Sequence, residues 1–177
     1  MELFRYFDKV EFAERLLSGE VSMRSLASYR DFESAEELGA ARFDGEEGTA
    51  KTYDGVVTSH KVFGNLIRVF CCSTTLNERL QTEFGKFVVR ITDADAFGLL
   101  IGAEVEHAPF AQIGIQHQSV SYGDEAISIS DYVFVESQLF TKPAGYSYQH
   151  EYRYAFVERA ELEERDGQPA KLKNPIR

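Results

Sequence analysis

The hydrophobic period changes several times along the chain, and each change marks an element. Leu3–Phe7 (LFRYF) is apolar except for Arg5 and predicts a short strand. In Lys9–Leu17, by contrast, Val10, Phe12, Ala13, Leu16 and Leu17 recur at helical spacing and Gly19 supplies a stop. Val21–Leu26 predicts a second extended piece. From Tyr29 to Gly55 the period dissolves into RDFESAEELGAARFDGEEGTAKTYDG, which is acidic and glycine-bearing. A loop of about residues 29–55 is long for a compact domain and is expected to be functional or disordered.

Further on, Leu66–Ser73 (LIRVFCCS), the FVVRI within Glu83–Thr92, Ile113–Tyr122 and Tyr148–Val157 are rich in β-branched and aromatic residues and predict strands. Asp93–Leu100 predicts a short helix. Ser130–Phe140 fits helix and strand equally well by period. Short strands with few helices in no regular alternation predict an α+β fold rather than a doubly wound parallel sheet. The 177 residues suit one domain, 1–177, and the charged, proline-containing segment 159–177 reads as a mobile tail or an edge extension.

A content of 44% hydrophobic and 27% charged residues is that of a globular protein, and no apolar run approaches the roughly 18 residues of a membrane helix. The N-terminal stretch lacks the apolar core of a signal peptide. A net charge of -10 gives no bulk attraction to phosphate backbones or anionic membranes, although a local groove needs only a few cations. Cys71 and Cys72 are adjacent and make an implausible disulfide, so a reducing cytoplasm is the expected compartment.

Candidate chemistry concentrates in YSYQHEYRYAF, Tyr146 to Phe156. As a strand it places Gln149, Glu151 and Arg153 on one face and Tyr148, His150, Tyr152, Tyr154 and Phe156 on the other. The plain account has the aromatic side in the core and the polar side in water, or Glu151 and Arg153 paired across the sheet. Arg42, Asp44, Glu46 and Glu47 lack the spacing of a calcium loop, and His60, His107, His117 and His150 form no zinc pattern, so no metal is expected. No nucleophile elbow is present, and neither cysteine has a recognisable histidine partner.

Three remote pieces, Arg5 in LFRYF, Ser73-Thr74-Thr75 after LIRVFCC, and Gln149-x-Glu151, occur in an order that resembles the arginine–serine–glutamate branch of the ADP-ribosyltransferase superfamily. A wider set, from LFRYF through SLASYRDFE, FCCST, FGKFVVRI and FTKP to YQHEYR, is similar to a family of uncharacterised bacterial domains. The resemblance implies a split, mostly antiparallel mixed sheet core of two packed sheets with peripheral helices, and NAD as substrate. It implies that Glu151 stabilises the oxocarbenium-like ribose and that Gln149 orients the acceptor. Arg5 would meet the phosphates or a ribose hydroxyl, with Arg30 its competitor for the phosphates, Ser73 would hold the glutamate and line the nicotinamide pocket, and Tyr6, Thr74 and Thr75 would also bind NAD.

The motif departs from the arginine-modifying pattern at Ser-Thr-Thr and at Gln-x-Glu. The implied acceptor is therefore RNA, DNA or a non-arginine protein side chain, in a toxin, effector or phage-defence protein with a possible neutralising antitoxin. Two alternatives stay open: a non-catalytic nucleotide- or protein-binding module of the same fold, and an NAD glycohydrolase.

Overall fold

LFRYF forms strand β1 (Leu3–Phe7), and the amphipathic run after it forms the helix Val10–Leu17. Gly19, at φ 88°, ends that helix as expected, its N–H donating to Leu16 O at 3.0 Å. These elements belong to a computed structural model that describes residues 1–30, 48–61, 66–106, 111–128, 130, 134–158 and 170–171. Strand β2 (Ser22–Ser25) leads into the helix Ala27–Arg30. Most of the expected long loop, including Arg42, Asp44, Glu46 and Glu47, lies outside the described residues. Its end is not loop but strand β3 (Thr49–Tyr53), which forms a hairpin with β4 (Val57–Lys61).

β5 (Ile67–Ser73) is followed by the helix Glu78–Phe84, β6 (Phe87–Ile91) and the helix Ala94–Glu106, which is longer than the eight residues expected. Gly98 and Gly102 explain the extension: a Cβ on either would meet His117 at 2.6 Å or Ile115 at 2.9 Å. They are contact points against the next strand rather than breaks. β7 (Ala111–Ser119), β8 (Ser121–Tyr122) and β9 (Ile127–Ser128) follow, and the ambiguous 130s contain the helix Phe134–Leu139. Then come β10 (Thr141–Lys142), a 3-10 helix (Ala144–Gln149), β11 (Glu151–Glu158) and β12 (Ala170–Lys171). Within the tail, β12 pairs with β2 as an edge extension.

The domain is α+β with mixed sheets and a few helices. Where two packed sheets were expected, the described residues form one seven-stranded sheet, a three-stranded β4-β3-β9 sheet and the two-stranded β10-β8 pair. Every pairing in the large sheet is antiparallel, and the parallel ones, β10 with β8 and β3 with β9, lie in the small sheets. β5 runs through the middle. β11 pairs along its whole length on one side, whereas the other side is shared: β1 meets it at Phe4↔Ser73 and β2 at Arg24↔Val69 and Ser25↔Arg68. The split therefore falls beside Cys71.

Alternation along β5 and β11 sends Phe70, Cys72, Tyr152, Tyr154 and Phe156 to one core, with Leu3, Leu16, Ile91 and Ile101. It sends Ile67, Val69 and Ala155 to a second core with Leu26, Leu139 and Phe140. Both faces of β11 are thus covered. This corrects the expectation that Glu151 and Arg153 face water: they are 5% and 1% exposed.

Candidate functional site

Burial of a carboxylate on the inward face of β11 requires partners, and the fold supplies them from two directions. Glu151 Oε1 accepts from Arg153 Nε and Nη2, each at 2.8 Å, because residues two apart on a strand share a face. Glu151 Oε2 accepts from Lys142 Nζ at 2.8 Å. Lys142 stands opposite Tyr122 in the β10–β8 pair, and the Glu151 N–H donates to Tyr122 Oη at 2.7 Å. One small sheet therefore reaches both the backbone and the carboxylate of Glu151. Arg153 is itself anchored, Nη1 donating to Leu139 O at 2.6 Å.

Gln149 is not on the strand, contrary to the expected alternation. It ends the 3-10 helix, and His150 at φ 44° turns the chain into β11. The left-handed turn replaces the pleat, yet Gln149 is buried and Oε1 accepts from Lys142 Nζ at 3.3 Å. Gln149 and Glu151 thus converge on one ammonium. A non-glycine residue in this conformation costs on the order of 1–3 kcal/mol and persists only where its surroundings hold it. The Ser-Thr-Thr segment does so here. Ser73 Oγ donates to Gln149 O at 2.8 Å, and Thr74 N and Oγ1 donate to His150 O at 2.9 and 3.3 Å.

Ser73 Oγ also accepts from Thr75 N at 3.1 Å. Tyr6 Oη donates to Thr75 O at 2.8 Å and accepts from Asn77 N at 3.2 Å, while Asn77 Oδ1 caps the next helix through Leu80 N at 2.9 Å. Of the residues expected to bind NAD, Tyr6, Ser73, Thr74 and Thr75 therefore come together as a hydrogen-bonded frame around the Gln149–Glu151 turn.

Arg5 closes the split in the sheet. Its Nη1 donates to Cys71 O, the β5 carbonyl that lies between the pairings with β1 and β2, and its guanidinium stands 4.9 Å from the Phe70 ring and 5.6 Å from that of Phe7. Its Nε is buried without a hydrogen-bond partner among the described residues. Arg5 is thus no surface residue of an edge strand. Arg30 ends the helix Ala27–Arg30, and its side chain lies outside the described residues.

Burial alone would push the Glu151 carboxyl up, but Arg153 and then Lys142 hold it well below the usual carboxylate range. It is ionised at neutral pH. Burial, reinforced by Glu151, pushes the Cys71 thiol up to about 12, which favours its protonated form at neutral pH. Burial likewise raises Tyr29 and Tyr122 to about 12. Burial would lower Arg5, but Tyr29, Cys72, Cys71 and Glu151 together raise it. The sequence reading missed Lys142, Tyr122 and Cys71, and it had Arg153 pair with Glu151 only across the sheet, whereas the pair forms within β11. Only the Thr-Lys-Pro after an apolar run hinted at Lys142.

No family model matches the chain, and no curated protein or solved structure does either. What fold and site define is a small α+β domain with a buried carboxylate–guanidinium–ammonium network where β5, β11 and the 3-10 helix meet. Among the described residues no helix is long and apolar enough to cross a membrane, and no group of three or more His, Cys, Asp or Glu residues is placed to hold a metal ion.

Proposed function

We propose that this chain is an NAD-dependent mono-ADP-ribosyltransferase with an ADP-ribosyltransferase-like fold, acting on a nucleic acid base or a non-arginine protein side chain. One observation carries the reading: Ser73 meets the Gln149–Glu151 pair, remote from it in sequence, at a single turn framed by Tyr6, with Arg5 on the neighbouring strand. In this reading the nicotinamide–ribose bond breaks with its electron pair leaving on nicotinamide, and Glu151 stabilises the positive charge that develops on the ribose. The acceptor's lone pair then forms the new bond, and its proton passes to solvent. Gln149 orients that acceptor without taking the proton. Arg5 and Arg30 are the candidates for the phosphates. A cytoplasmic toxin or defence protein, neutralised by an antitoxin, is the role proposed with it.

A second reading is favoured by a different observation. The Glu151 carboxylate is held by two cations and is 5% exposed, which suits a structural network in a non-catalytic nucleotide- or protein-binding module. The two readings separate on one assay. Incubation with NAD labelled in the ADP-ribose portion, followed by measurement of free nicotinamide and of label on RNA, DNA and protein, gives nicotinamide release for the transferase and none for the module. Release without label on any macromolecule would instead make the enzyme an NAD glycohydrolase.

A further inference from the structure

Lys142 touches both members of the Gln149-x-Glu151 pair. Its Nζ lies 2.8 Å from Glu151 Oε2 and 3.3 Å from Gln149 Oε1, and its side chain is 10% exposed. Its backbone is held by the parallel β10–β8 pair, and Pro143, at φ -54°, directs the chain into the 3-10 helix that ends at Gln149. The same ammonium lies 5.4 Å from the Tyr146 ring on that helix. Because His150 breaks the strand pleat, backbone alternation no longer fixes the Gln149 amide relative to Glu151. The Lys142 ammonium supplies a side-chain tie between them.

We infer that Lys142 is a positioning residue that yokes the Gln149 amide to the Glu151 carboxylate, so that the acceptor is presented to the same sugar face that the carboxylate stabilises. An ammonium with three donors can satisfy the Glu151 and Gln149 oxygens at once and so fixes the amide relative to the carboxylate. A neutral amide held in this way suits an uncharged acceptor, such as a nucleobase or a carboxamide, over cationic guanidinium. The catalytic consequence rests on the transferase reading, whereas the tie itself does not.

The test uses Lys142→Met, which keeps length and removes the donors, Lys142→Gln as a polar neutral variant, and Lys142→Arg as the rescue. The side-chain amide resonances of Gln149, assigned by comparison with Gln149→Ala, should shift in the Met variant and return toward wild type in the Arg variant. Label transfer should fall on the order of tenfold more than nicotinamide release, because a displaced orienting group costs transfer selectively. The double variant Lys142→Met/Gln149→Ala should transfer no less than Gln149→Ala alone, since coupled residues are non-additive. Unmoved Gln149 resonances in folded Met and Gln variants, or additive losses in the double variant, would overturn the inference. If wild type releases no nicotinamide, the transferase reading fails while the resonances still decide whether Lys142 holds Gln149.

Discussion

Ser73 and Glu151 stand directly opposite one another in the β5–β11 pairing, yet the Ser73 hydroxyl donates to the carbonyl of Gln149 at 2.8 Å rather than to the glutamate side chain. The serine thus holds the turn that delivers the glutamate. Removing the hydroxyl in Ser73→Ala leaves a carbonyl of a buried residue without this donor, at a cost of about 1–3 kcal/mol. The urea midpoint should fall accordingly. An unchanged midpoint would mean that the donors on His150 O suffice for the turn.

The carboxylate of Glu151 should stabilise the fold in a pH-dependent way. Its folded value is depressed below the ordinary 4.5, so its contribution is present above that value and is lost as pH falls toward the folded value. Glu151→Gln, which leaves Arg153 and Lys142 without their counter-charge, should therefore be less stable than wild type at about pH 7, by up to roughly 3–5 kcal/mol. The gap should narrow below pH 4.5. A gap that is constant from neutral pH to about pH 3 would sink the claim that the ion pairs depress this group. For the same reason, nicotinamide release by Glu151→Gln must be normalised to folded protein, and it should be lower by about two orders of magnitude or more.

Much of the architecture was legible because the hydrophobic period is strong where packing is one-sided. Val10–Leu17 and the aromatic face of Tyr152, Tyr154 and Phe156 were readable for that reason, whereas LFRYF, LIRVFCCS and FVVRI were readable as short apolar runs. What misled was burial on both faces. Alternation in QHEYR reads as a polar side in water, and only the second core, built from Leu26, Leu139 and Phe140, reveals that the polar side is buried. The αL turn at His150 carries no glycine to announce it, and Lys142 sits in a two-residue strand too short to leave a period. The aromatic-Arg, Ser-Thr-Thr and Gln-x-Glu pieces were visible singly. Their convergence needed the pairings of β5 with β1 and β11, which connect residues more than sixty positions apart.

Cys71 should be inert. With its thiol pushed up to about 12 by burial and by Glu151, almost no thiolate exists at neutral pH. Iodoacetamide at about pH 7.5 should leave Cys71 unmodified in the folded protein and label it after denaturation, as read by mass spectrometry of peptides. Rapid labelling of the native protein would reopen the case for a cysteine nucleophile.

Arg5 carries two roles that one pair of variants separates. Its bond to Cys71 O closes the split beside β5, and its unpartnered Nε is a candidate for an anionic ligand. Arg5→Ala should lower the thermal midpoint and should weaken NAD binding, measured by calorimetry, more than Arg30→Ala does. Should Arg30→Ala weaken binding more, the phosphate role passes to Arg30 and Arg5 is left as a brace of the sheet.

Gln149 is the residue on which the choice of acceptor turns. If its amide orients the incoming group, Gln149→Ala should leave cleavage of NAD by water within a few-fold of wild type, because bond breaking depends on Glu151, while label transfer to the acceptor falls on the order of a hundredfold, the cost of a misplaced reactant. The Lys142 ammonium makes the converse substitution informative as well. Gln149→Glu would place a second carboxylate 3.3 Å from a cation that already serves Glu151, so the two acids would share it and titrate together. A carboxylate at this position would also admit a cationic acceptor, and transfer to free arginine or agmatine should become measurable in this variant alone. Both variants are assayed in parallel for nicotinamide release and for label on RNA, DNA, protein and arginine. Equal loss of both activities in Gln149→Ala, or loss of neither, would reduce Gln149 to a structural residue of the turn before β11.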